Sequence, residues 1–162
     1  MRCRRLRLAG QSSKRSENLG DLMTEFHFFH PIEVRYEDVD AQRHVNNVRF
    51  FTYMEQARGA YLQHLELWDG RDFDAIGIIL VEASCIYKAQ IAFGDRLRVG
   101  VRCARIGHKS LELVYSIQGS DGREMATGGT VLVAYDYRQS QSVPVSQEWR
   151  KALTEFDSPD EG

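Results

Sequence analysis

From Pro31 the chain alternates, with Ile32, Val34 and Tyr36 separated by Glu33, Arg35 and Glu37. That period of two predicts a strand with one face buried and one face wet. The period then lengthens. Behind Asn46 and Asn47, both good helix-capping residues, Phe50, Met54, Ala57, Tyr61 and Leu65 recur at three- or four-residue spacing through a segment whose only glycine or proline is Gly59. The pattern predicts a long helix. Phe51 and Leu62 add a second apolar line, and so wide a face predicts a helix wrapped by sheet.

Asp69-Gly70 breaks this pattern, and four strand-like segments follow. Ile76 to Tyr87 opens on a near-continuous apolar run, as expected of a central strand. Leu97, Val99, Val101 and Cys103 then alternate with Arg96, Arg98 and Arg102, so that the arginine face must meet solvent or a polyanion. Leu111, Leu113, Tyr115 and Ile117 form the next alternation, and Asp121-Gly122 reverses the chain. The last segment, Thr127 to Tyr135, carries Gly128 and Gly129 after Ala126, small residues that let a helix approach closely. Pro144 and Ser146 introduce a short terminal helix with Trp149, Leu153 and Phe156 on one face. Strands joined in succession by short polar turns pair antiparallel, which makes the fold class α+β, without internal repeats.

At 162 residues the chain is long enough to bury one core, and its 43% hydrophobic and 27% charged residues exclude disorder along its whole length. The longest uncharged apolar run, Ala75 to Val81, is far below the roughly 20 residues a helix needs to cross a bilayer. No membrane association is expected. Cys3, Cys85 and Cys103 are odd in number and widely spaced, which reads as free thiols in a reducing compartment and predicts a cytoplasmic protein. Charge is unevenly divided: residues 1–22 carry +4 and residues 23–162 carry −6. The first 22 residues read as a disordered basic tail or an over-extended start, with an arginine-rich transit peptide as the competing reading. Residues 23–162 form the domain. Its acidity, and the lack of a basic stripe with interleaved aromatics, argue against nucleic acid as a partner.

Chemistry concentrates between the first strand and the long helix. Glu37, Asp38, Asp40, His44, Asn46 and Asn47 fall within eleven residues, where a helix N-terminus presents unpaired N–H groups and positive partial charge. Such donors can stabilise the oxyanion formed when a carbonyl is attacked, so a carboxylate beside them is a minimal acyl-transfer arrangement. Asp38 and Asp40 share strand parity, and spacing does not separate them. No HExxH or comparable metal spacing, GxSxG elbow or phosphate loop is present, and no cofactor or metal is expected.

The strings Tyr36-Glu37-Asp38-Val39-Asp40 and His44-Val45-Asn46-Asn47, followed by Phe50, Tyr53, Glu55-Gln56-Ala57-Arg58 and Tyr61, resemble the hotdog-fold acyl-CoA thioesterases of the 4-hydroxybenzoyl-CoA thioesterase-like superfamily. The resemblance continues through Phe93-Gly94-Asp95 and Gly107-His108-Lys109-Ser110 and covers roughly residues 25 to 155. It implies a five-stranded antiparallel sheet wrapped around a long central helix. It also implies two chains paired edge to edge, as a homodimer or within a homotetramer, with the active site at their interface. The expected reaction is hydrolysis of an acyl-CoA to a carboxylic acid and free coenzyme A. By the same resemblance Asp40 is the nucleophile or base, and Asn47 offers its backbone N–H to the thioester carbonyl. His44, four residues from Asp40 and absent from many relatives, is expected in the catalytic set as a residue that orients the loop, with proton donation to the leaving thiolate as the competing role. His108, Lys109 and Ser110 meet the coenzyme A phosphates, although relatives carry more arginine where Gly107 and His108 stand. Lys88-Ala89-Gln90 also departs from the Pro-Ala pair common there. Asn46 is expected to cap the helix, and Glu55 to pair with Arg58 while standing as the reserve carboxylate. Two other functions compete: a hotdog hydratase using Asp40 and His44, and a non-catalytic acyl-CoA binding protein.

Overall fold

The computed structural model describes residues 26–72 and 74–161; the basic segment 1–22 lies outside them. Strand β1 is Phe28–Glu33, and a 3-10 turn at Tyr36–Asp38 leads to helix α1, Asn47–His64. After a second 3-10 turn at Asp74–Ile76 come β2 (Ile78–Tyr87), β3 (Arg96–Ile106), β4 (Ser110–Gly119) and β5 (Glu124–Asp136). The two-residue strand β6 (Gln141–Ser142), helix α2 (Gln147–Asp157) and the two-residue β7 (Asp160–Glu161) complete the chain. The sheet runs β1-β3-β4-β5-β2, with β6 added to β5 and β7 to β3. All five long strands pair antiparallel. Short β7 alone runs parallel to its neighbour, β3.

Helix α1 lies on the inner face of this curled sheet, as its wide apolar face requires. Tyr53, Met54, Ala57, Tyr61 and Leu62 are almost wholly buried there, and each large apolar side chain so buried contributes about 1.5–3 kcal/mol. Gly128 in β5 fits beneath the helix, since a Cβ at that position would overlap the Met54 sulfur. Asn46 caps the helix, its Oδ1 accepting the Val48 N–H at 3.0 Å, and Ser146 does the same for α2 through the Trp149 N–H at 3.2 Å. Helix α2 is anchored at its far end. There Asp157, buried, accepts hydrogen bonds from the Tyr61 hydroxyl and, at 2.7 Å, from the Cys103 N–H.

Two elements depart from the pattern of the sequence. The first strand starts earlier, at Phe28, and ends before Tyr36, which is 85% exposed. The alternation is broken by Asp38, whose N–H returns to the Arg35 carbonyl while its carboxylate accepts the Arg35 N–H, so a side chain competes successfully with the sheet. The apolar run from Ile78, expected at the centre of the sheet, lies at its edge. Leu80, Val81 and Ile86 are 46%, 58% and 54% exposed, because β2 pairs only with β5. The opposite edge, β1, is six residues long and contains Pro31, both ordinary protections of a free edge. Ten-residue β2 has neither.

Candidate active site

The segment between β1 and α1 is a small closed loop. Val39 and Val45 form an antiparallel bridge, the Asp40 N–H donates to the His44 carbonyl at 3.0 Å, and the Arg43 N–H returns to the Asp40 carbonyl at 3.0 Å. The reversal is so tight that Arg43 takes a left-handed φ of 66°. The loop is held to the body by the Val45 N–H, which donates to the Ile91 carbonyl at 2.8 Å.

Within this loop the two acids that spacing could not distinguish have different surroundings. Asp38 is buried. Its Oδ2 accepts from the Arg35 N–H and from the Tyr53 hydroxyl, each at 2.9 Å, and its Oδ1 lies 3.3 Å from Arg49 Nε. Burial, followed by the hydrogen bond to Asp38, pushes the Tyr53 hydroxyl well above its ordinary range, so it remains a donor. Asp40 is half-buried. Its Oδ1 accepts the Gln42 N–H at 2.8 Å, and its Oδ2 has no hydrogen-bond partner among the described residues. Asp38 is thus fully occupied in holding structure, and Asp40 has an oxygen to spare.

Asn47 is the first residue of α1 and is exposed. Its N–H, one of the unpaired donors at the helix start, donates to none of the described residues. Its carbonyl accepts the Tyr87 hydroxyl at 3.3 Å, and Tyr87 packs edge-on against Phe50 with centroids 4.9 Å apart. This aromatic wall beside the helix start was not singled out from sequence. The pairing of β2 with β5 in space puts Tyr87 there, and local pattern carries no trace of that pairing. On the other side of the loop Tyr36 and Phe93, both exposed, meet edge-on at 6.1 Å. His44 is half-buried and meets Asp40 through its backbone carbonyl. Glu55 lies 3.6 Å from Arg58 and is exposed on the helix.

His108, Lys109 and Ser110 stand elsewhere. They form the end of the turn between β3 and β4 and the first residue of β4, beyond Ile106, whereas the Asp40 loop follows β1 at the Arg96 end of β3. Ten residue steps at about 3.3 Å put the two regions roughly 30 Å apart within one chain. Lys109 Nζ is engaged by the Ser142 carbonyl and hydroxyl at 3.0 and 3.2 Å. The same turn borders a cavity of about 380 Å³ lined by Tyr135, Tyr137, Arg138 and Trp149 among others, its wall tied to the turn by Ala134 N–H to Lys109 and Val145 N–H to His108.

Among the described residues cysteine chemistry is disfavoured. Burial pushes the Cys103 thiol up to about 12 and raises Cys85 above its ordinary value, so neither supplies a thiolate near neutral pH. Among the described residues no group of three or more His, Cys, Asp or Glu is placed to hold a metal ion, and no helix is long and apolar enough to cross a membrane.

A family model of the thioesterase-like superfamily matches residues 34–153. The chain is 28% identical over 130 residues to the uncharacterized protein YsmA of Bacillus subtilis, covering 80% of this chain and 87% of that one. It is also 28% identical to the L-carnitine dehydrogenase/betainyl-CoA thioesterase of Agrobacterium fabrum, covering 95% of this chain but 33% of that larger protein. Among solved structures, a thioesterase from Thermus thermophilus complexed with coenzyme A and Zn superposes with a TM-score of 0.74 at 28% identity, covering 85% of this chain and all of that one.

Proposed function

We propose that this chain, which belongs to the thioesterase-like superfamily, hydrolyses acyl-CoA thioesters with Asp40 as its working carboxylate. The observation that carries this reading is the pairing of an under-used Asp40 carboxylate with an undirected helix N-terminal N–H at Asn47, in a chain of thioesterase lineage. The Asn47 N–H and the helix dipole stabilise negative charge on the thioester oxygen as the carbonyl carbon is attacked. Asp40 attacks that carbon itself or takes a proton from the water that does. The carbon–sulfur bond breaks, coenzyme A leaves as a thiolate that needs little acid assistance, and water supplies the oxygen of the carboxylic acid. The coenzyme A complex of the Thermus relative and the name of the Agrobacterium one support acyl-CoA as the substrate class.

A second copy completes the site in this reading. Two β2 edges paired antiparallel bring the Ile78 end of one chain beside the Tyr87 end of the other. That moves the partner's His108–Ser110 turn, which is bonded to β5 at Ala134, toward this chain's Asp40 and Asn47. Long, largely apolar and free of proline, β2 is the edge better suited to such pairing, its regular ladder interrupted only between Leu80 and Glu82.

Free-thiol release from a panel of short, long and aromatic acyl-CoAs tests the activity, and Asp40→Asn tests the mechanism. The expected loss is about 10²- to 10⁴-fold in kcat on an unchanged fold. Hydrolysis that survives Asp40→Asn would refute the assignment and redirect attention to Glu55 or His44. Binding of coenzyme A by both proteins without turnover would instead support a sensor. Co-assembly of Asp40→Asn chains with Lys109→Ala chains tests the shared site, since a mixed dimer then contains one intact site and regains activity.

A further inference from the structure

We infer that Asp38 is the positioning residue of this site, acting with Arg49 and Tyr53 to fix the distance between the Asp40 carboxylate and the Asn47 N–H; the inference rests on the reading of Asp40 given above. Asp40 sits on one end of the 39–45 loop and Asn47 just past the other, so their separation is set by whatever clamps the two ends together. The Val39–Val45 bridge is one clamp. Asp38 is the second, and it works through both main chain and side chain.

Its carbonyl accepts the Asn46 N–H at 2.8 Å, joining the residue before the loop to the helix cap. Its carboxylate then reaches along the helix. Arg49, in the first turn, brings Nε to 3.3 Å from Oδ1 and donates through Nη2 to the Glu37 carbonyl at 3.2 Å. Tyr53, one turn further on and on the same face, donates to Oδ2 at 2.9 Å. The Arg35 N–H closes the set from the strand side at 2.9 Å. One buried carboxylate therefore binds the end of β1, the loop entrance and the first two turns of α1 to one another.

A carboxylate with its charge balanced and both oxygens bonded repays its desolvation through geometry, and loss of one partner leaves the others poorly satisfied. The energy stored in this arrangement is not directed at the substrate, since Asp38 is buried and faces the helix. Its effect on turnover passes through Asp40 and Asn47, where a displacement of the order of 1 Å can cost about a hundredfold in rate.

The test uses the full chain and whichever acyl-CoA of the panel is turned over fastest. Tyr53→Phe removes one hydroxyl and nothing else from the core. It is expected to lower kcat about 10-fold, with KM within about twofold and melting still well above the assay temperature. Asp38→Asn, which loses the charge facing Arg49, is expected to lower kcat about a hundredfold, and Arg49→Lys to retain more activity than Arg49→Gln. Should Asp38→Asn not fold, Tyr53→Phe and the Arg49 pair decide. In an Asp40→Asn background Tyr53→Phe should subtract nothing further from any residual rate, because the group it positions is already gone. Wild-type kcat in folded Tyr53→Phe and Asp38→Asn, or an equal loss in both backgrounds, would overturn the inference while leaving Asp40 in its role. Near-wild-type kcat in Asp40→Asn alone would instead remove the reading on which it stands.

Discussion

The Tyr61 hydroxyl donates to the carboxylate of Asp157, which lies 96 residues further along the chain, and both groups are buried. The contact joins the long helix to the terminal one beneath β3, where the Cys103 N–H shares the same carboxylate oxygen. The other oxygen, Oδ1, is buried without a hydrogen bond; the groups facing it are the Arg102 guanidinium, whose Nε is likewise unbonded, and the His27 ring at 3.9 Å.

Burial raises the Asp157 carboxyl above its ordinary value, against the lowering effects of Tyr61, Cys103, Arg102 and His27. A carboxyl raised in the folded state favours folding when protonated. Its contribution is full below the unfolded value of about 3.9 and is lost as pH rises through the folded one. Urea midpoints of wild type and Asp157→Asn, measured from pH 7 down to pH 4.5, should therefore diverge in favour of wild type as pH falls. Parallel lines would show that Asp157 does not titrate across folding.

Gly128→Ala should destabilise by about 1–3 kcal/mol, the usual range for overpacking a dense core. The new methyl group would overlap Met54 Sδ and lie 2.9 Å from the Ser84 carbonyl oxygen. The methionine can swing away, but the backbone of the neighbouring strand cannot. Thermal melts of Gly128→Ala, alone and with Met54→Ala, should show partial rescue; full rescue would place the whole conflict on the side chain.

Arg43→Gly should stabilise the protein by about 0.5–1 kcal/mol, because the left-handed φ of 66° carries a penalty for any residue with a Cβ. Chemical denaturation measures the gain. Unchanged kcat would show that the Arg43 side chain has no part in turnover.

If two copies pair through β2 as proposed, lysine at Val81 and Ile86, both exposed on that strand, should leave the single chain folded and break the pairing. Light scattering would then report a lower mass than wild type, and thiol release should fall with it if the site needs two chains. A wild-type protein that already scatters as one chain would overturn the shared-site reading.

Much of this architecture was legible in the sequence because it rests on local period. The spacing of Phe50, Met54, Ala57 and Tyr61 marks the helix that spans Asn47–His64, and Asn46, Ser146 and the small residues of β5 act as their types suggest. What stayed hidden depends on pairing at a distance. Ile78 to Val81 reads as interior because apolar residues covered on both faces and apolar residues awaiting a neighbour look alike in one chain. Asp38 and Asp40 were interchangeable by parity. Tyr53 and Arg49, a turn apart on the helix, distinguish them, and no local signal announces which acid they grip.

The strand order β1-β3-β4-β5-β2 also bears on how the chain is born. Neither β1 nor β2 pairs with its neighbour in sequence: β1 needs β3, and β2 needs β5, which ends at Asp136. A ribosome delivering this protein therefore releases a strand, a helix and an apolar strand before anything that can shelter them. The meander β3-β4-β5 emerges after them, and the earlier segments then close on it from either side. Contacts so distant in sequence are slow to form, and the apolar run from Ile78 to Val81 is the stretch that nascent-chain chaperones would meet in the interval.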